Sequence, residues 1–172
     1  MEQKPPMFKS AMNYGAIIGL VLVGLSLVSF LIGDYENKVL QYASYFVMVG
    51  GLFWAIKSYR DNECGGLISY GSVLGFGTMV SLFFGILTAF FMYIYLKFVD
   101  DTLLQYVMEE SARQMEAKGM SDEEIEVGME YSRMFTSAGF FGTMALLGNV
   151  FFGFIISLVL GFILKKEDET FN

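Results

Sequence analysis

Four long apolar runs constrain this chain more than any other feature. They occupy about residues 11–33, 39–56, 70–97 and 138–164 of a 172-residue sequence. A helix needs ~20 apolar residues, range ~17–25, to cross a ~30 Å hydrocarbon core. The second run is near the lower limit. It ends close to Trp54 and Lys57, an aromatic and a cation suited to a membrane interface. The third, counted from Leu67, exceeds the core at ~1.5 Å per residue, which predicts a helix that tilts or projects. The first is too long for the ~7–15-residue core of a signal peptide and lacks a small-x-small cleavage site, so a retained span is expected. The expected fold is all-α. It is an integral membrane four-helix bundle, read as one membrane domain over residues 1–172, with an acidic extramembrane helical hairpin at residues 98–137.

Charge supports that division. Only 17% of residues are charged and 55% are hydrophobic, whereas soluble domains carry roughly a quarter charged residues. Residues 98–137 hold ten acids against three bases, which accounts for the whole net charge of -7. The rest of the chain balances. Nucleic-acid binding, which needs a basic surface, is not expected. An N-in orientation places Lys4, Lys9, Lys57, Arg60, Lys165 and Lys166 on the cytoplasmic side. It leaves Lys38, Lys97, Arg113, Lys118 and Arg133 outside, where Arg113 and Lys118 lie far from span ends and count less. Both termini are thus expected in the cytoplasm, with the acidic segment outside.

The acidic segment has helical periodicity. Leu103, Leu104, Val107, Met108 and Met115 fall near one face, as do Ile125, Met129, Ser132 and Phe135. Lys118-Gly119 predicts a helix end. Ser121 with Glu124 three residues on predicts a capping box.

Small residues mark the spans. Gly77, Ser81 and Gly85 step by four, as do Gly153, Ser157 and Gly161. Such steps let helix backbones approach, and the two ridges are expected to face each other in antiparallel helices, with Gly77 and Gly161 toward one membrane side and Gly85 and Gly153 toward the other. The sequence NYGAIIG at residues 13–19 also lies over SYGSVLG at residues 69–75. This adds Gly15, Gly19, Gly71 and Gly75 to the packing candidates. It leaves open duplication of a two-span unit or chance matching of glycine-rich helices.

Catalytic signals are scarce. Histidine is absent and Cys64 is the one cysteine, which removes disulfide pairing within the chain and the usual zinc, haem and His-dependent sites. The glycines after Cys64 lack the GxxxxGK[ST] pattern of a phosphate loop. Arg60-Asp61 reads as a juxtamembrane salt bridge and turn. The acidic hairpin lacks the ligand spacing of a calcium loop. The spans contain Asn13, Gln41, Thr78, Thr88, Thr143 and Asn149 but no internal ionisable residue, which argues against a proton-driven pump. Asn13 and Asn149 are the candidates for a buried polar contact. No catalytic, cofactor-binding or metal-binding residue is expected.

The YRD, glycine pair and SYG-glycine helix start within residues 59–77 precede FVDD at 98–101 and KGMSDEEIE at 118–126. Together these resemble the bacterial membrane family called domain of unknown function 4199, from the first span to the last. That family commonly carries proline where this chain has Asp101. The resemblance implies a bacterial inner-membrane protein and brings no activity, substrate or catalytic residue. The expected function is therefore a non-enzymatic interaction or accessory protein. Its expected partners are membrane lipids and a protein bound through the acidic segment, with homo-oligomerisation open. A small transporter or channel subunit using a polar path near Asn149 is the alternative, and a membrane-bound enzyme the third.

Overall fold

The computed structural model describes residues 7–33 and 37–166. Among these residues the protein has six α-helices and no strand. They are α1 (Met7–Ile32), α2 (Lys38–Glu63), α3 (Tyr70–Ile94), α4 (Thr102–Ala117), α5 (Asp122–Phe135) and α6 (Ala138–Leu164). A π-helical turn, Tyr95–Val99, follows α3. Four segments, Met7–Ile32, Lys38–Glu63, Tyr70–Val99 and Ala138–Leu164, are long and apolar enough to cross a membrane. Lys4 and residues 34–36, between the first two apolar runs, lie outside the described residues.

Helix α2 continues past its apolar run to Glu63. Arg60 and Asp61, expected in a turn, therefore lie in the last turn of the helix as an ion pair, where Arg60 suits the negative end of the helix dipole. The Cys64 amide closes the helix on the Tyr59 carbonyl at 3.1 Å. Gly65 and Gly66 then turn the chain at φ 63° and 83°, angles that cost little only for glycine.

Two compact units make up the chain. One comprises Met1–Thr88 with Leu146–Asn172, the other Ala89–Ala145. In the first, α3 supplies the centre of the core. Val73, Phe76, Val80 and Phe84 are fully buried, and their spacing of three and four puts them on one face. Ala11 and Ile18 from α1, Leu52 and Ile56 from α2, and Leu160 from α6 join the same cluster. The Tyr59 ring stacks on Phe76 with centroids 4.0 Å apart.

Polar bonds join helix ends in this unit. The Ser10 hydroxyl donates to the Glu63 carboxylate. Arg60 Nη1 donates to the Leu164 carbonyl at 3.2 Å. Ile68 and Lys166 exchange backbone hydrogen bonds of 2.8 and 2.9 Å. The start of α1, the end of α2, the start of α3 and the end of α6 therefore meet at one end of the unit.

In the second unit, α4 ends where Gly119 adopts φ 73°. The Gly119 amide bonds to the Glu116 carbonyl at 2.9 Å and the Met120 amide to Met115 at 3.3 Å, which is a Schellman closure. Ser121 then caps α5. Its hydroxyl accepts the Glu124 amide at 3.4 Å while its own amide donates to the Glu124 carboxylate at 2.8 Å. Helices α4 and α5 meet where Gly128 faces Met115; an added Cβ would lie 2.7 Å from the sulfur. Ile125, Met129 and Ser132 are half-buried as their periodicity predicts, whereas Phe135 is exposed. Its ring instead meets Phe140 edge-on, centroids 5.4 Å apart.

Candidate functional site

The small-residue ridges of α3 and α6 meet in a seam within the first unit. Ser81 and Ser157 are fully buried in it. A Cβ on Gly77 would lie 2.9 Å from Ser157 Cβ, and one on Gly153 would collide with Ser81. Each glycine thus makes room for the serine of the facing helix. The two ridges face each other as expected, in a register that sets Gly77 against Ser157 and Gly153 against Ser81. Gly161 instead receives the ring of Tyr70, 2.6 Å from an added Cβ. The Tyr70 hydroxyl donates to the Leu158 carbonyl at 3.3 Å. A phenol at the start of α3 thus packs where Gly161 leaves room.

The serines do not bond across the seam. Ser81 Oγ donates to the Gly77 carbonyl at 2.8 Å and Ser157 Oγ to the Gly153 carbonyl at 2.7 Å. Each hydroxyl is satisfied by its own helix, which leaves it a packing group rather than an activated nucleophile. The polar link between helices comes further along. Asn149 Nδ2 donates to Thr88 Oγ1 at 2.9 Å, and Thr88 Oγ1 donates to the Gly85 carbonyl at 3.1 Å. Gly85 permits this approach, since its added Cβ would sit 3.3 Å from Asn149 Cβ. Beside the seam is an open apolar groove of about 610 Å³, lined by Thr78, Leu147, Gly148, Val150, Phe151 and Phe154.

Other candidate residues separate by face. Gly15 and Gly19 bring α1 against α3: added Cβ atoms would lie 2.5 Å from Phe83 Cβ and 3.2 Å from Phe84 Cα. Gly71 and Gly75 have nothing within 4 Å of an added Cβ. Both lie roughly 160° around α3 from Val73 at 100° per residue, so they point away from the core. The two similar segments therefore occupy unlike surroundings. Asn13 is exposed, in contrast to the expected buried contact. It lies roughly 200° around α1 from buried Ala11, on the opposite face. Among the described residues no three His, Cys, Asp or Glu side chains form a metal-binding group. The sequence reading missed Glu63 as the partner of Ser10 and Leu164 as the acceptor for Arg60. Their sequence separation left no local signal.

The family described as Protein of unknown function (DUF4199) matches residues 13–166. This chain belongs to that family. No curated protein and no solved structure matches it. The match covers the seam and both compact units of this DUF4199 protein, and carries no activity with it.

Proposed function

We propose that this DUF4199 protein is a multi-pass inner-membrane protein that acts by binding a protein partner, not by catalysis. The observation that carries the membrane reading is the exposure of large apolar side chains on all four long helices. Leu20 is 63%, Phe46 79%, Ile86 48% and Phe162 71% exposed. Such surfaces, spread over every long helix, suit lipid rather than water. The four apolar helices form the bundle, both termini face the cytoplasm, and α4 and α5 form an acidic hairpin outside. The common end shared by the start of α1 and the end of α6 supports termini on the same side.

The partner surface is α5. Val127, Tyr131 and Met134 are each more than half exposed, and their spacing places them on one stripe. Glu123, Glu126 and Glu130 flank it. This pattern suits a partner with an apolar groove rimmed by basic residues. The engaged amide of Asn149 supports a packing role over a transport path. The two seam serines, bonded to their own helices, support a non-enzymatic role.

A photocrosslinking residue placed at Tyr131 in living cells tests the reading. One dominant protein adduct is expected, weakened by Val127→Ser with Met134→Ser and by high salt. Adducts to lipid alone, or a protein adduct indifferent to both changes, would overturn it.

A further inference from the structure

An open cavity of about 710 Å³ lies within the second unit, and its lining carries both charge signs, Lys97 together with Asp100 and Asp101. The π-helical turn Tyr95–Val99 ends beside it, closed by the Asp100 amide on the Tyr95 carbonyl at 3.0 Å. This turn inserts an extra residue per turn relative to α-helix. Phe98 and Val99 are both exposed beside these charges, at the end of the segment Tyr70–Val99 that is apolar enough to span.

The charges are held but not spent on one another. Lys97 Nζ donates to the Tyr93 hydroxyl at 2.7 Å. It also sits 5.1 Å from the Tyr93 ring centroid and 5.4 Å from that of Phe98, so two aromatic rings position an ammonium that keeps further donors. Asp100 Oδ1 accepts the Thr102 amide at 2.9 Å and also the Thr102 hydroxyl. Asp101 Oδ1 accepts from Gln105 Nε2 at 2.8 Å. These bonds leave Oδ2 of each carboxylate out of the pairing. Hydrogen bonds from the Thr102 hydroxyl and amide hold the Asp100 carboxyl below its usual range, so it is ionised at neutral pH.

We propose that this cavity binds the phosphoethanolamine headgroup of a membrane phospholipid. Lys97 takes the phosphodiester, and Asp100 and Asp101 take the primary ammonium. Phe98 and Val99 lie against the first carbons of the acyl chains. A purely anionic headgroup fits less well, because it brings no cation for the two carboxylates. The assignment rests on the membrane reading above, and the two fail differently. Without the membrane reading the protein fractionates as soluble; without the headgroup site it stays in the membrane and shows no lipid preference.

The test is native mass spectrometry of the full chain in detergent, with equimolar phosphatidylethanolamine and phosphatidylglycerol of matched acyl chains. Wild type should retain phosphatidylethanolamine by about threefold, the size expected from exposed charge pairs. Lys97→Gln with Asp101→Asn should abolish the preference, while Arg113→Gln, a charge change on α4 away from the cavity lining, should keep it. Helicity of each variant, measured by circular dichroism, should match wild type. Water-soluble glycerophosphoethanolamine at equal concentration should not displace the lipid. Equal retention of both lipids, or a preference surviving in the double variant, would overturn the headgroup site. Displacement by the soluble compound would overturn its assignment to a membrane lipid.

Discussion

At Gly77, one missing methyl group sets how closely α3 and α6 approach. A side chain there meets Ser157, with Cβ atoms 2.9 Å apart, and Ile56 beyond it at 3.2 Å. Gly77→Leu should therefore separate the helices and destabilise the protein by ~1–3 kcal/mol, the cost of overpacking. Gly71→Leu, which meets nothing within 4 Å, should change stability much less. Reversible unfolding in mixed micelles compares the two. A second residue-scale prediction concerns Asn149 and Thr88. A double-mutant cycle of Asn149→Leu and Thr88→Val should return a coupling near ~0.6 kcal/mol, the average for hydrogen bonds between membrane helices. Zero coupling would mean that the bond adds nothing to the native state. The ridges themselves were legible in the sequence, because steps of four put small residues on one face. Their register was not. Gly and Ser are nearly interchangeable in size, so several offsets satisfy the same pattern. The observed one places the Tyr70 ring over Gly161, a contact four residues from the serine ridge that the small-residue pattern does not encode.

Helices α4 and α5 show what local chemistry specifies and what it does not. The Gly119 stop and the Ser121–Glu124 capping box were readable because both are completed within a few residues. The Ser121 amide and hydroxyl hold the Glu124 carboxyl below its usual range. A lowered folded-state pKa means that this bond contributes stability above the unfolded pKa of ~4.3. The contribution is lost as pH falls through the lowered folded value. Hydrogen exchange at the first amides of α5 should therefore quicken, beyond its intrinsic pH trend, as pH falls through that window. Glu124→Gln should remove this added pH dependence. A wild-type profile matching that of Glu124→Gln would contradict the assignment. The π turn at Tyr95–Val99 had no comparable signal. It depends on one surplus residue in the hydrogen-bond ladder, not on a residue type, and YLKFV is compatible with an ordinary helix. The extension of α2 through Lys57 and Arg60 was hidden for a related reason. Polarity marks where an apolar run stops, but lysine and arginine are good helix formers.

Across the chain, long apolar runs predicted the four long helices and their all-helical class, because length and hydropathy are read directly from sequence. The contacts that gather the ends of α1, α2, α3 and α6 were not legible. Ser10 with Glu63 and Arg60 with Leu164 join residues far apart in the chain, and no single position announces its partner. These contacts nevertheless bear on topology, since they put Lys9 near the same end of the first unit as Arg60 and Lys166. The central claim is that this end faces the cytoplasm while α4 and α5 lie outside. Site-specific labelling with a membrane-impermeant maleimide tests it most directly, using Lys118→Cys and Lys9→Cys separately in a Cys64→Ser background in intact bacterial spheroplasts. The account predicts labelling at position 118 without membrane disruption and at position 9 only after it. Labelling at position 9 in intact spheroplasts, with position 118 protected until the membrane is opened, would contradict it.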